Sequence, residues 1–136
     1  MRVKRKRQRG NGLVETAMVF LVFVPMVLGT VDFAQFLFIH QAMVERARNA
    51  ARYGLVHDPT DTTSIQNMVL YNQASSGSSG YFGLTASMVD VSNPGSGTAD
   101  NRIVIRLHDY PYVVLSPYIT GTHNGPNITV VVPVGQ

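Results

Sequence analysis

The chain has 136 residues, 45% of them hydrophobic and 14% charged, with a formal net charge of +3 and no cysteine. The missing cysteines exclude a disulfide framework and the cysteine-based zinc motifs. The first ten residues hold six of the eleven Lys and Arg and no acid, so the remainder carries five cations against eight acids, and the basic pI belongs to the N-terminal tail alone.

That tail is Arg2, Lys4, Arg5, Lys6, Arg7 and Arg9, followed by Gly10. A basic arm can bind nucleic acid, but one that directly adjoins an apolar run acts instead as a topological signal and holds its end at the cytoplasmic face. The expectation is therefore no nucleic-acid partner, a cytoplasmic N-terminus, and a C-terminal portion sent across the membrane. Arg46, Arg48 and Arg52 follow the run closely and soften this asymmetry.

The apolar run spans 13–39, with no charged residue between Thr16 and Val31. As a helix its 27 positions would rise about 40 Å, more than the roughly 30 Å hydrocarbon core, so both ends should reach the interfaces. Glu15 and Asp32, one near each end, fit that placement, and a carboxylate at the mouth of such a segment needs something to satisfy it. Pro25 removes one backbone hydrogen bond and predicts a local kink or loosened turn. The competing interpretations are a buried helix of a soluble domain, which 16 uncharged residues beside a cationic tail argue against, and an ordinary cleaved secretory signal. Such a signal has a shorter apolar core and a small-x-small cleavage site, for which Gly29-Thr30-Val31 is a poor substitute.

The helical pattern does not end with the apolar run. Phe36, Ile39, Met43, Ala47, Ala50 and Gly54 recur at spacings of three and four, with Glu45, Arg46, Arg48 and Arg52 on other faces. One helix is predicted to continue to Tyr53 and stop at Gly54, and from Leu13 it would be about 60 Å long. Ala42, Ala47, Ala50 and Ala51 give it a smooth surface that a neighbouring helix could approach closely.

The order Arg9-Gly10-Asn11-Gly12-Leu13-Val14-Glu15, Pro25, Gly29-Thr30-Val31-Asp32-Phe33 and Ala50-Ala51-Arg52-Tyr53-Gly54 resembles the N-terminal signature of the TadE-like family, over roughly residues 9–54. These are minor pilins or pseudopilins of tight-adherence (Flp-type) pilus systems. Thr16 stands where the family usually has an aromatic residue. The resemblance implies cleavage by a prepilin peptidase between Gly10 and Asn11, insertion in the bacterial inner membrane, and a function in assembling pili for adherence, biofilm formation or related secretion. It also implies that Glu15 serves peptidase recognition and assembly, with other pilins or pseudopilins and an inner-membrane assembly platform as partners. Residues 1–10 would be the leader peptide, 11–54 the membrane and stalk helix, and 55–136 a small exported domain.

The exported portion is expected to open with an Asp58-Pro59 turn and the capping-box pattern Thr63-Ser64-Ile65-Gln66, then a short helix near 64–74. Residues 75–80 read as a flexible Gly/Ser connection. Strand candidates are 84–91, 102–109 and 128–132; Met88-Val89 breaks the alternation and suggests a bulge or slipped boundary. The expected fold class is α+β, a long N-terminal membrane helix extending into a stalk, then a short helix and an antiparallel sheet of about three strands.

No catalytic constellation, metal site or cofactor motif is expected in this portion. His40, His57, His108 and His123 lack metal-ligand spacing, and Asp58 and Asp61 lack the ligand run of an EF-hand and suit a helix N-terminus better. Ser64 and Ser116 lack triad partners nearby in sequence. The aromatic, Pro-rich segment Tyr110, Pro111, Tyr112, Pro117 and Tyr118 could touch a partner, but packing of a turn against the sheet explains it more simply. The expectation is a non-enzymatic pilus subunit. Its rivals are a signal-anchored periplasmic domain that binds an envelope partner without joining a pilus, and an envelope hydrolase whose site the sequence does not reveal.

Overall fold

The computed structural model describes residues 8–115 and 121–135. Helix α1 runs Gln8–Val56, 49 residues or about 73 Å, and continues through Pro25. It is followed by α2 (Thr62–Tyr71), two single 3-10 turns (Tyr81–Gly83 and Ala86–Met88), and strands β1 (Val89–Ser92), β2 (Arg102–Leu107), β3 (Pro111–Val113), β4 (Thr122–Asn124) and β5 (Ile128–Pro133). The fold is α+β, with an antiparallel sheet in the order β1-β2-β5 and a separate β3-β4 hairpin.

The two halves of α1 have different surroundings. From Gly10 to Val27 every residue is exposed, whereas beyond it Ile39, Met43, Ala47, Ala50, Ala51 and Gly54 are buried under α2 and the sheet. The alanine surface that invited a neighbouring helix is thus occupied within the chain, at Ala47, Ala50 and Ala51, by the chain's own core. Removing side-chain bulk there lets α2 and β2 lie close to the helix axis.

The predicted stop at Gly54 is corrected: the helix passes through it to Val56. A Cβ at Gly54 would stand 2.6 Å from Ile65 Cδ1 and 2.8 Å from Ile103 Cδ1, so the glycine serves close packing instead of chain reversal. The helix ends where the His57 amide still reaches the Tyr53 carbonyl at 3.0 Å and Asp58 precedes proline, a position that disfavours helical backbone.

The predicted capping box is also replaced. Asp61 is the N-cap of α2 and accepts from the Ser64 amide at 3.0 Å, while Gln66 reaches away to donate to the carbonyls of Ala86 and Val89 at 2.9 and 2.7 Å. Helix α2 ends earlier than expected, at a left-handed Asn72 whose amide bonds the Met68 carbonyl.

Strand β2 is central and alternates as its sequence predicts, with Ile103, Ile105 and Leu107 fully buried toward α1 and Arg106 outward. Register pairs Ile103 with Val132, Ile105 with Val130 and Leu107 with Ile128 on one side, and Leu107 with Val89 on the other, building aliphatic layers. The expected strand 84–91 is shorter: the second 3-10 turn, Ala86–Met88, lies in its first half, and the boundary slips to Val89, where the alternation changes phase.

Candidate functional site

Gly10, Asn11 and Glu15 lie within the first two turns of α1 on the bare half of the helix, all exposed. A Cβ at Gly10 would meet nothing within 4 Å. Asn11 and Glu15 are one turn apart and share a face, from which an open apolar stripe of Val14, Met18, Val19, Val22 and Met26 extends along the helix. From Gly10 onward, among the described residues, no cation or hydrogen-bond donor stands against the Glu15 carboxylate. The cationic leader positions 1–7 lie outside the described residues.

Three polar side chains in the apolar run, Thr16, Thr30 and Asp32, find partners in two ways. Thr16 and Thr30 donate their hydroxyls to the carbonyls of Gly12 and Met26, four residues back, at 2.8 and 2.9 Å, the local solution open to a hydroxyl in an apolar helix. Asp32 instead accepts from the backbone amide of Leu115 at 2.6 Å, where the chain leaves β3 and comes down beside α1. The sequence alone gave no sign of this contact, because its partner is a main-chain group 83 positions away.

Above Asp32 an aromatic column joins the hairpin to the helix. Phe36 packs on Tyr112 with ring centroids 5.1 Å apart, Tyr112 in turn meets His123 at 5.6 Å, and the Tyr110 hydroxyl is 2.8 Å from His40 Nδ1. Tyr110 is fully buried, and burial pushes its phenol above the ordinary value. Expected as a turn packed against the sheet, the segment instead forms β3 from Pro111 and joins α1, with Tyr110 in the core beside His40 and Tyr112 on Phe36; Ser116, Pro117 and Tyr118 lie outside the described residues.

Arg46, which the helical pattern sets off the apolar face of α1, ties the helix to α2 and the first 3-10 turn. Its guanidinium donates to the Val69 carbonyl near the end of α2 at 3.1 Å and sits 3.7 Å over the Tyr81 ring, with its pKa lowered by desolvation. The periodicity of α1 puts Arg46 on a face other than the apolar one, and the return of α2 and the 3-10 turn leave it half-buried.

The remaining candidates occupy separate places. His57 stacks on Tyr53, and His108 contacts Asp109 at 3.0 Å and Asp90 at 3.6 Å. Among the described residues no group of three His, Asp or Glu side chains is arranged to hold a metal ion. Asp58 accepts from the amide and hydroxyl of Thr60 at 2.8 and 2.6 Å, closing the turn before α2. Hydrogen bonds from Thr60 hold the Asp58 carboxyl below its usual value, and those from Ser64 do the same for Asp61.

Residues 10–52 match the family model described as TadE-like protein, the family that the N-terminal signature resembles. The match begins at Gly10 and covers α1 as far as Arg52, leaving α2 and the sheet outside it. No curated protein and no solved structure matches the chain.

Proposed function

We propose that this chain is a minor pilin or pseudopilin of a tight-adherence (Flp-type) pilus system, held in the bacterial inner membrane by α1, with residues 1–10 cytoplasmic and the C-terminal domain outside. A prepilin peptidase cuts between Gly10 and Asn11, and the mature subunit associates with other pilins or pseudopilins at the assembly platform, supporting adherence, biofilm formation or related secretion. The observation that carries this reading is the TadE-like match starting at Gly10 on a helix that is long and apolar and, among the described residues, exposed from Gly10 to Val27.

The chemistry centres on Glu15. After cleavage the new amine of Asn11 lies four residues away, about 6 Å along the helix, and the helix dipole adds positive character at the same end. Within one subunit these groups could stabilise the carboxylate by themselves. In the assembly reading Glu15 instead meets the N-terminal amine of a neighbouring subunit, where low dielectric strengthens the attraction and makes an unpaired charge costly. The pairing sets the axial register between helices, and the apolar stripe from Val14 to Met26 supplies their contact.

Glu15→Gln separates these roles, since it keeps size and polarity but loses charge. The variant is expected to insert and largely to be cleaved, yet to lose crosslinking to pilin partners and to reduce surface pili. Wild-type levels of both crosslinks and pili would remove Glu15 from assembly.

A further inference from the structure

We infer that the end of strand β3 and the residues just after it, with Val113 and Leu115, enter the outer membrane–water interface and seat the exported domain directly on lipid. The inference rests on the membrane-spanning reading of α1, and depth along that helix is its starting point. The hydrogen bond from the Leu115 amide to Asp32 fixes the level of this chain segment along α1. Asp32 lies 17 positions beyond Glu15, about 26 Å along the axis, whereas the hydrocarbon core is roughly 30 Å thick. With the Glu15 carboxylate at the inner boundary, where it can be hydrated, the Asp32–Leu115 contact falls at the outer edge of the core. The charge-free stretch ends at the same level.

The groups found at that level suit it. Val113 and Leu115 are 58% and 60% exposed, although they lie where water gives way to acyl chains. A carboxylate or a backbone amide left without a partner would be costly there, and the hydrogen bond from Leu115 to Asp32 serves both groups. One helical turn farther out, Phe36 meets Tyr112, an amphipathic ring of the kind favoured at headgroup depth. Only the first half of α1 is therefore free to span, and the domain completes the crossing by resting its β3 end in the interface.

The absence of cysteine allows single labels to be placed cleanly. Phe20→Cys, Leu115→Cys and Val131→Cys change exposed side chains on the bare helix, at the β3 end and on the far strand β5 respectively. Each full-length variant would carry a nitroxide in phosphatidylethanolamine/phosphatidylglycerol vesicles, and its accessibility to oxygen and to a water-soluble nickel complex would be compared by electron paramagnetic resonance. The oxygen-to-nickel ratio should be severalfold higher at positions 20 and 115 than at 131. A label at 115 resembling that at 131, with 20 still in lipid, would overturn the inference and leave the span intact. Nickel access at 20 as well would defeat the span and the inference together. Shielding of 115 from both reagents that disappears on dilution with lipid would assign the surface to a second copy and overturn lipid contact.

Discussion

Tyr110 shows how one residue couples the hairpin to the helix. Its ring is fully buried, its hydroxyl is bonded to His40, and a Cβ at Gly125 would fall inside the ring, so glycine is the one residue that fits opposite it. The Gly125 amide meanwhile donates to the Tyr110 carbonyl at 2.9 Å, fixing backbone against backbone. Gly125→Ala is expected to destabilise the domain by about 3 kcal/mol in thermal or chemical unfolding, because neither side can yield. Tyr110→Phe keeps the ring and should cost only about 1 kcal/mol, the usual net worth of a hydrogen bond. At the start of α2, Asp58 and Asp61 are both held more acidic in the fold than in the unfolded chain. Such groups contribute stability above their unfolded pKa and lose it as pH falls through the lower, folded value. Unfolding measured between pH 6 and pH 3 should therefore show this contribution fading below about pH 4, and Asp61→Asn should flatten the decline while keeping a capping oxygen.

At the scale of elements, α1 is one helix with two functions divided near Leu28. Its outer half is a core helix, and Ala47, Ala50 and Ala51 are small because α2 and the sheet press against them. Ala47→Leu should overpack that contact and cost about 1–3 kcal/mol, whereas Ala17→Leu on the bare half should leave the melting of the domain unchanged. The contrast, measured by circular dichroism in detergent, reports which half bears the fold. Periodicity made α1 and the alternating strand β2 legible, because each repeats over enough residues to average out local exceptions. Its limits lie where tertiary contacts decide. Gly54 carries the signature of a helix stop yet is claimed by packing on Ile65 and Ile103, and the capping-box pattern at Thr63 and Gln66 gave way to Asp61 because Gln66 is used across to β1. Strands β3 and β4 have three residues each, one beginning with proline, and too little alternation to register.

For the whole molecule, two surfaces differ in kind. From Ala17 to Val27 the bare half of α1 is apolar on every side, within a helix long and apolar enough to cross a membrane, while the domain closes its own core around the second half of the helix. The roles proposed for Gly10, Asn11 and Glu15 come through resemblance and not through local chemistry, since the groups they would meet, a peptidase and a neighbouring subunit, would belong to other molecules. The Asp32–Leu115 bond was invisible for a different reason: a backbone amide leaves no mark in side-chain composition. One peptide bond, Gly10–Asn11, separates a pilus subunit from an anchored domain, and the decisive measurement is the mass of the N-terminal peptide of the protein recovered from membranes of cells with an active prepilin peptidase. A pilus subunit begins at Asn11, with Gly10→Leu retained as uncleaved precursor; a wild-type chain still beginning at Met1 would leave a membrane-anchored domain in its place.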